Sequence, residues 1–403
     1  AVKEGNPELK AAREKGLPVY NRAETLAALM QGYRTISIAG SHGKTTTTAM
    51  TGWMLEQAGL DPTVLVGGVV GAWGSNTRIG KSRWMVVEAD ESDGTFVKLP
   101  TEIGVVTNID PEHLDYYGSE AALHEAFRTF LRQIPENGLA VPGIDHPVVR
   151  KLLSQLADEG RLPPLASFGR RRDANIKASA ITTNGGTAAF DASFADMAGH
   201  PLTRKRGIKL PVPGLHNVLN ACAAATVGVH VGLTPTQIFE ALATFQGVDR
   251  RFTRTGEWNG VEFYDDYAHH PAEIEAVLKA ARGAAKGQLI AVMQPHRYSR
   301  LQSLFDGFCR CFSDADTVLI TPVYAAGEAP NGFDRDKLIE GIRDTGHARV
   351  LPVENEENLT HAVAALAKPG DLVIGLGAGT ITEWAHALPS RLNVYTSFVG
   401  AAE

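Results

Sequence analysis

Short apolar runs, separated by longer stretches of helical periodicity, organise this chain. "TISIA" (Thr35–Ala39), "WMVVE" (Trp84–Glu88) and "IGVVT" (Ile103–Thr107) are strand-length runs that end at small, acidic or polar residues. After the first, a glycine loop leads into a helical pattern that continues through Gln57. Such alternation predicts an α/β fold with a parallel sheet and loops gathered at the strand C-terminal ends. The opening segment, "ELKAAREKGLPVYNRAETLAALM", reads as helix, short strand at Leu17–Tyr20, then helix, the tail of an α/β unit. Residues 175–210 carry short β-like runs around a Gly-Gly turn and predict an antiparallel excursion. A helix resumes at about Asn217. A second α/β block begins near Val248, with strands expected at Val261–Tyr264, Leu289–Met293, Thr317–Thr321, Arg349–Pro352 and Leu372–Leu376, and a helix at Pro271–Arg282. The boundary falls near Gln246–Arg250, where an apolar helix gives way to glycine and charge.

Composition narrows the class. At 403 residues with 44% apolar content, the chain can bury the cores of two or three domains. A net charge of −6 without long runs of one sign argues against nucleic acid or an anionic membrane as partner. No run is long and apolar enough to span a bilayer. Three cysteines (Cys222, Cys309, Cys311) make no disulfide framework or metal spacing, so a cytoplasmic location is expected.

The loop after the first strand carries the most chemistry. In "GSHGKTTTT", only Ser41 and His42 separate Gly40 from Gly43, where the usual phosphate loop has four residues. The glycines let the backbone turn so that amide N–H groups converge, and the helix that follows adds its positive end. Lys44 would neutralise β/γ-phosphate charge, and Thr45 offers Mg²⁺ a hydroxyl. Magnesium takes hard oxygen ligands, and Glu88, Asp90 and Asp93 stand in "EADESD" at the end of the next apolar strand. His113, in "TNIDPEHLD", ends another strand-to-loop passage and by itself carries little weight.

"GSHGKTT", "EADESD", "TNIDPEHLD", "GLHNVLNA" and "GVDRRF", in this order, resemble the ATP-dependent Mur ligase family over nearly the whole chain. The resemblance implies a P-loop-type central domain over 33–247 and a C-terminal Rossmann-like domain for the amino acid over 248–403. It also implies an N-terminal UDP-binding domain, of which 1–32 would be the last part. ATP and Mg²⁺ are the implied cofactors. The further motifs "DDYAHHPAEI", "QPHRYSR" and "VYAAGEAP" imply UDP-N-acetylmuramate and L-alanine as substrates. A monomer or homodimer is expected, with no motif that selects between them.

The same resemblance assigns roles. Gly40, Ser41, His42, Gly43, Lys44, Thr45 and Thr46 hold the nucleotide phosphates. Thr45 and Glu88 hold one Mg²⁺ and His113 a second. Asn217 and Asn220 face the adenine, although Asn217 alone could equally be a helix cap. Asp265 or Asp266 holds the ribose, and Arg251 reaches the γ-phosphate unless it pairs with a nearby acid. Arg297 and Arg300, with His296, suit the alanine carboxylate, for which a guanidinium offers a planar fork. One of His269 and His270 would take the amine proton or orient the substrate. Tyr324, Gly327 and Glu328 are weaker candidates near the amino acid, and Asn76 and Arg78 near the muramyl side.

Three rivals stay open on sequence. A murein tripeptide ligase shares the family pattern. A non-catalytic ATP-binding regulator would keep the Gly40–Thr45 loop without Arg297, Arg300 or the histidine pair. "GLGAGTITEW" follows a strand like a dinucleotide fingerprint, but Gly375, Gly377 and Gly379 depart from G-x-G-x-x-G.

Overall fold

The run before the glycine loop becomes the centre of the first sheet. β1 (Arg34–Ala39), β2 (Thr63–Val70), β3 (Ser75–Arg78), β4 (Trp84–Glu88), β5 (Ile103–Val106) and β6 (Leu139–Pro142) lie in the order β3-β2-β4-β1-β5-β6. Only the β2–β3 pair is antiparallel. The computed structural model describes residues 5–184 and 186–399. Thr35–Ala39 is buried throughout, which is why β1 reads as a continuous run rather than an alternation. The chain leaves β1 towards β2 on one side and later places β5 on the other. Strand order therefore reverses at β1, and a crevice opens at its C-terminal end.

The helix Lys44–Gln57 packs between this sheet and the helix Leu215–His230. Small residues allow the approach: a Cβ on Gly52 would meet Val64 at 2.7 Å, and one on Gly228 would meet Met54 Sδ at 2.9 Å. β7 (Phe168–Gly169), β8 (Ile176–Asn184), β9 (Thr187–Ala195) and β10 (Pro201–Leu210) form a second sheet, largely antiparallel, as the patterning predicted.

β11 (Thr253–Trp258), β12 (Val261–Asp266), β13 (Leu289–Met293), β14 (Thr317–Ile320), β15 (Val350–Pro352) and β16 (Leu372–Leu376) form the third sheet, ordered β11-β12-β16-β13-β14-β15. It is parallel apart from the β11–β12 hairpin. One core runs from Ile36 to Val248, and others lie wholly within the third-sheet region. That separation supports the proposed division at about residue 248. Residues 1–4 and 400–403 of the proposed outer segments lie outside the described residues.

Two expectations need correction. Leu17–Tyr20 is not a strand; it is irregular, with Leu17 55% and Tyr20 69% exposed, and it pairs with no strand among the described residues, so its backbone has no ladder partner. β2, β3, β6 and β11 were not singled out by patterning. β2 carries two glycines, β3 and β11 are polar edge strands, and β6 ends in proline, so each lacks a clear strand signature.

Candidate active site

The glycine loop sits in the crevice at β1. Gly40 has φ 128° and Gly43 φ 82°, so both lie where a side chain is strained. A Cβ on Gly43 would meet Asn220 Oδ1 at 2.6 Å. The loop after β5 fastens one side of the turn. Ser41 N–H donates to the Asn108 carbonyl at 3.0 Å, and His42 N–H to Asn108 Oδ1 at 2.8 Å. Ser41 Oγ donates to the Asp110 carbonyl and accepts from its N–H. Ser41 is thus tied to the scaffold, and its amide is already used. The amides of Gly43 to Thr46 instead open the helix. The first helical bond runs from Thr47 N–H to the Gly43 carbonyl, so these have no carbonyl one turn earlier.

Lys44 Nζ folds back over the loop and donates to the Gly40 and Ser41 carbonyls at 2.7 and 3.0 Å. It also lies 2.8 Å from Glu91, which is fully buried. Burial is the largest single effect and would lower the lysine pKa, but the charge and hydrogen bond of Glu91, with the charges of Glu112 and Glu88, together outweigh it and leave it raised. Glu91 carries the cost: burial pushes its carboxyl up to about 7 against the pull of Lys44. Sequence reasoning named its neighbours and missed Glu91. Asp90 faces Ser92 and Arg22, and Asp93 faces Thr95. Only the loop conformation decides which acid of "EADESD" turns inward.

Thr45 Oγ1 donates to Glu88 Oε1 at 3.0 Å, and Gly67 N–H to Glu88 Oε2 at 2.6 Å. A Cβ on Gly67 would meet that carboxylate at 2.6 Å, so glycine clears its place. A hydroxyl and a carboxylate held together at a phosphate loop are the hard oxygen donors that magnesium takes. His113, with φ 55°, ends in a second group with Glu91 and Glu112, whose ligand atoms all lie within 4.8 Å of one another. Glu91 of this group is the same residue that pairs with Lys44.

A cavity of about 360 Å³ extends from His42, Gly43 and Thr46 towards Asn217, Asn220 and Asp266. Asn220 Nδ2 donates to Asn217 Oδ1 at 3.2 Å, and Asn217 Nδ2 to the Pro213 carbonyl at 2.7 Å. Gly214, not Asn217, is the N-cap, so the capping alternative falls. His216 also lines the cavity and was missed; burial, reinforced by the Arg251 charge, lowers its pKa to about 4. Arg251 reaches the cavity, whereas Arg250 turns to the Gly377 carbonyl and Asp265.

Asp265 and Asp266 part ways because successive strand residues point to opposite faces. Asp266 faces the cavity, accepts from the Phe252 and Ala268 amides at 2.8 Å, and is pushed up to about 6 by burial. Asp265 Oδ2 accepts from Thr382 Oγ1 at 2.6 Å behind the sheet. As a ribose contact Asp265 is therefore corrected to a scaffold residue. Arg78 is likewise engaged by Asp61 and Glu56, which leaves the muramyl expectation without a free guanidinium there.

The third sheet brings the histidine pair to the same crevice. His269 and His270 precede Pro271, which starts a helix whose third residue, Glu273, accepts from both their amides. His269 Nδ1 lies 2.9 Å from the Tyr267 carbonyl, so it donates there and leaves Nε2 as the proton acceptor. His270 Nδ1 accepts from Ala272 N–H, so its Nε2 carries the proton and is a buried donor with no partner among the described residues. Burial holds both imidazoles down to about 4, hence neutral at physiological pH. His42 differs. Burial opposes its charge, but Asp110 and Glu273 outweigh that and raise it to about 10, so the loop carries a second cation.

Arg300 Nη1 lies 3.4 Å from His296 Nδ1 and senses the charges of Glu112 and Glu273, so it faces the crevice. Arg297 is exposed at the N-cap of the short helix Tyr298–Ser303, with φ 67°. His296 stacks on Tyr324 with ring centroids 5.4 Å apart, and Glu328 holds Ser299. The glycine run after β16 serves as a buttress. Gln294 donates to Thr380 Oγ1 and accepts from Ile381 N–H, and a Cβ on Gly379 would meet Gln294 Oε1 at 2.4 Å. That loop's space is filled by Gln294 and Tyr324, so it is no dinucleotide cradle.

Four histidines here (His216, His269, His270 and His296) are lowered to about 4. In the unfolded chain they bind protons near pH 6.5, earlier than in the folded one. Their neutral burial therefore contributes stability above pH 6.5 that is lost as pH falls towards 4. Thermal unfolding at pH 7 and pH 5 should show a lower midpoint at pH 5, and His216→Gln should shrink that difference. An equal difference in the variant would show that His216 contributes nothing to it.

Comparison with known proteins agrees with this geometry. The profile for the Mur ligase middle domain matches residues 38–228, and that for the Mur ligase glutamate ligase domain matches 250–379. The Mur ligase family catalytic domain profile matches 1–34. A UDP-N-acetylmuramate–L-alanine ligase of Xanthobacter autotrophicus is 53% identical over 97% of this chain and 83% of its own length. One from Azorhizobium caulinodans is 53% identical with the same coverage. The crystal structure of a UDP-N-acetylmuramate–alanine ligase from Thermotoga maritima superposes with a TM-score of 0.79 at 26% identity, covering 98% of this chain and 84% of that one. Matched from its first residues through the loop after β16, and sharing half its positions with full-length relatives, this chain belongs to the Mur ligase family.

Proposed function

We propose that the chain ligates L-alanine to UDP-N-acetylmuramate at the expense of ATP. The carboxylate of the sugar lactyl group attacks the γ-phosphorus and ADP departs, leaving an acyl phosphate. The neutral amine of alanine then attacks the acyl carbon, phosphate leaves, and the amine proton passes to a base. One contact carries the reading: His42 of the phosphate loop lies 3.3 Å from Glu273, which holds the backbone of His269 and His270. The nucleotide loop and the histidine pair therefore border one crevice.

Within it, the amides of Gly43 to Thr46 and Lys44 hold the triphosphate, while His42 stays between Asp110 and Glu273. Asn217, Asn220 and Asp266 face the nucleoside. Thr45 and Glu88, and separately His113, would hold magnesium. When bound, that ion offsets repulsion between phosphate and carboxylate, about 4 kcal/mol per unit pair at 4 Å and an effective dielectric of 20. Arg300 and Arg297 take the alanine carboxylate. His269 accepts the amine proton at Nε2, and His270 donates from Nε2 to an anionic oxygen. The relatives' activity and their 83% length coverage support the assignment.

ADP release should require ATP, UDP-N-acetylmuramate and L-alanine together, and should stop on chelation of divalent cations. ADP release that depends on murein tripeptide instead of L-alanine would favour the recycling enzyme. ATP binding without any amino-acid-dependent turnover would leave a regulator.

A further inference from the structure

Glu273 spends its two carboxylate oxygens in different directions. Oε2 accepts from the backbone N–H of His269 at 3.1 Å and of His270 at 3.3 Å, the ordinary work of a capping box. Oε1 lies 3.3 Å from His42 Nδ1, on the phosphate loop and 231 residues away in sequence. His42 Nε2 is in turn 3.1 Å from Asp110 Oδ2, on the loop after β5. The His42 ring also stands 5.0 Å from that of His270. A cap needs only the backbone contacts. The additional buried ion pair carries a desolvation penalty and is weak evidence for stability, so a different role accounts for it better.

We propose that Glu273 is a positioning residue for amide formation. With one oxygen on the phosphate-loop imidazole and the other on the His269 backbone, it sets the amine-side base in register with the acyl phosphate that the loop holds. This rests on the ligase reading above. Glu273 itself touches no reacting atom. Proton transfer and attack depend steeply on such registration, because small misplacements cost large factors in rate.

The test uses Glu273→Gln, which keeps an oxygen for the cap and removes the charge facing His42, together with His42→Asn and the double variant. Amide formation should fall by about 30-fold in Glu273→Gln. Acyl-phosphate formation, followed by positional isotope exchange in ATP without L-alanine, should stay within about threefold of the parent, as should the KM for ATP. For amide formation, the double variant should be no more than about threefold worse than the poorer single one, because either change breaks the same link. Equal loss of both steps, or multiplying effects in the double variant, would overturn the proposal. Where Glu273→Gln does not fold, Glu273→Asp keeps a capping carboxylate with shorter reach and is read in the same way.

A binding measurement separates this proposal from the ligase reading. In the parent, a non-hydrolysable ATP analogue should shift the His269 side-chain nitrogen resonances. In Glu273→Gln the shift should vanish while analogue affinity changes by less than about threefold. Equal shifts in both proteins sink the positioning role. Absent ADP release by the parent, with all three substrates present, sinks the ligase reading instead.

Discussion

Lys44→Ala is expected to reduce ADP release by about 1000-fold, which is about 4 kcal/mol of transition-state stabilisation. Lys44 is the cation that folds over the phosphate loop and contacts the Gly40 and Ser41 carbonyls. No neighbour can replace it: His42 is held between Asp110 and Glu273, and Arg251 lies across the cavity. The substitution also strands Glu91 without its cation in a fully buried place. Glu91 already sits at about 7 through burial, and loss of the lysine raises it further. A carboxyl raised in the folded state contributes its stability at low pH and loses it as pH rises through the folded value. The variant should therefore be more destabilised at pH 8 than at pH 6, by about 1–3 kcal/mol for an unpaired buried group. Adding Glu91→Gln should restore the melting midpoint at pH 8 without restoring ADP release. Recovery of turnover in that double variant would mean Lys44 serves only as the partner of Glu91.

Gly40→Ala should weaken nucleotide binding strongly as well as lower stability. The residue has φ 128°, and a Cβ there would stand 2.0 Å from Thr107 Oγ1, 2.9 Å from Thr107 N and 3.0 Å from the Asn108 carbonyl. Backbone cannot yield as a side-chain tip does, so strain of about 1–3 kcal/mol is expected. The displacement falls on Thr107, whose hydroxyl donates to the His42 carbonyl at 2.7 Å, and so distorts the turn that presents the amides. ATP affinity should drop by about 100-fold or more, about 2.7 kcal/mol, read by titration calorimetry. Thr107→Ala removes the nearest atom but not the amide nitrogen, so it should not rescue Gly40→Ala. Rescue would show that the hydroxyl alone sets the requirement for glycine.

Much of the architecture was legible. β4, β13 and β16 coincide with their apolar runs, because strands buried on both faces leave no polar interruption. The helix after the glycine loop ends at Gln57, as its periodicity predicted. Leu17–Tyr20 is irregular because an apolar run becomes a strand only when another strand pairs with it, and none of the described strands does. β11, "TRTGEW", went unnoticed for the converse reason: an edge strand with a solvent-facing side needs little hydrophobicity. At the site, the phosphate loop, Thr45 with Glu88, and Asn217 with Asn220 stand together as the motifs suggested. Glu91, Glu273 and His216 did not announce themselves, since each lies inside a motif whose other residues drew the attention.

By itself, the sequence determined the order of the fully buried strands and the helices between them, the two glycines that a tight phosphate turn requires, and membership of a family whose motifs occur in one order. These are local properties, carried by periodicity and by backbone conformations that only certain residues adopt. Tertiary structure decided which acid turns inward to Lys44, which of two adjacent aspartates faces the cavity, and which imidazole nitrogen is left to accept a proton. Each of these choices depends on the pleat of a strand, the path of a loop, or a contact such as His42 with Glu273 across 231 residues. Such partners are chosen by burial and hydrogen-bond geometry after the sheets have formed, and no spacing along the chain encodes them.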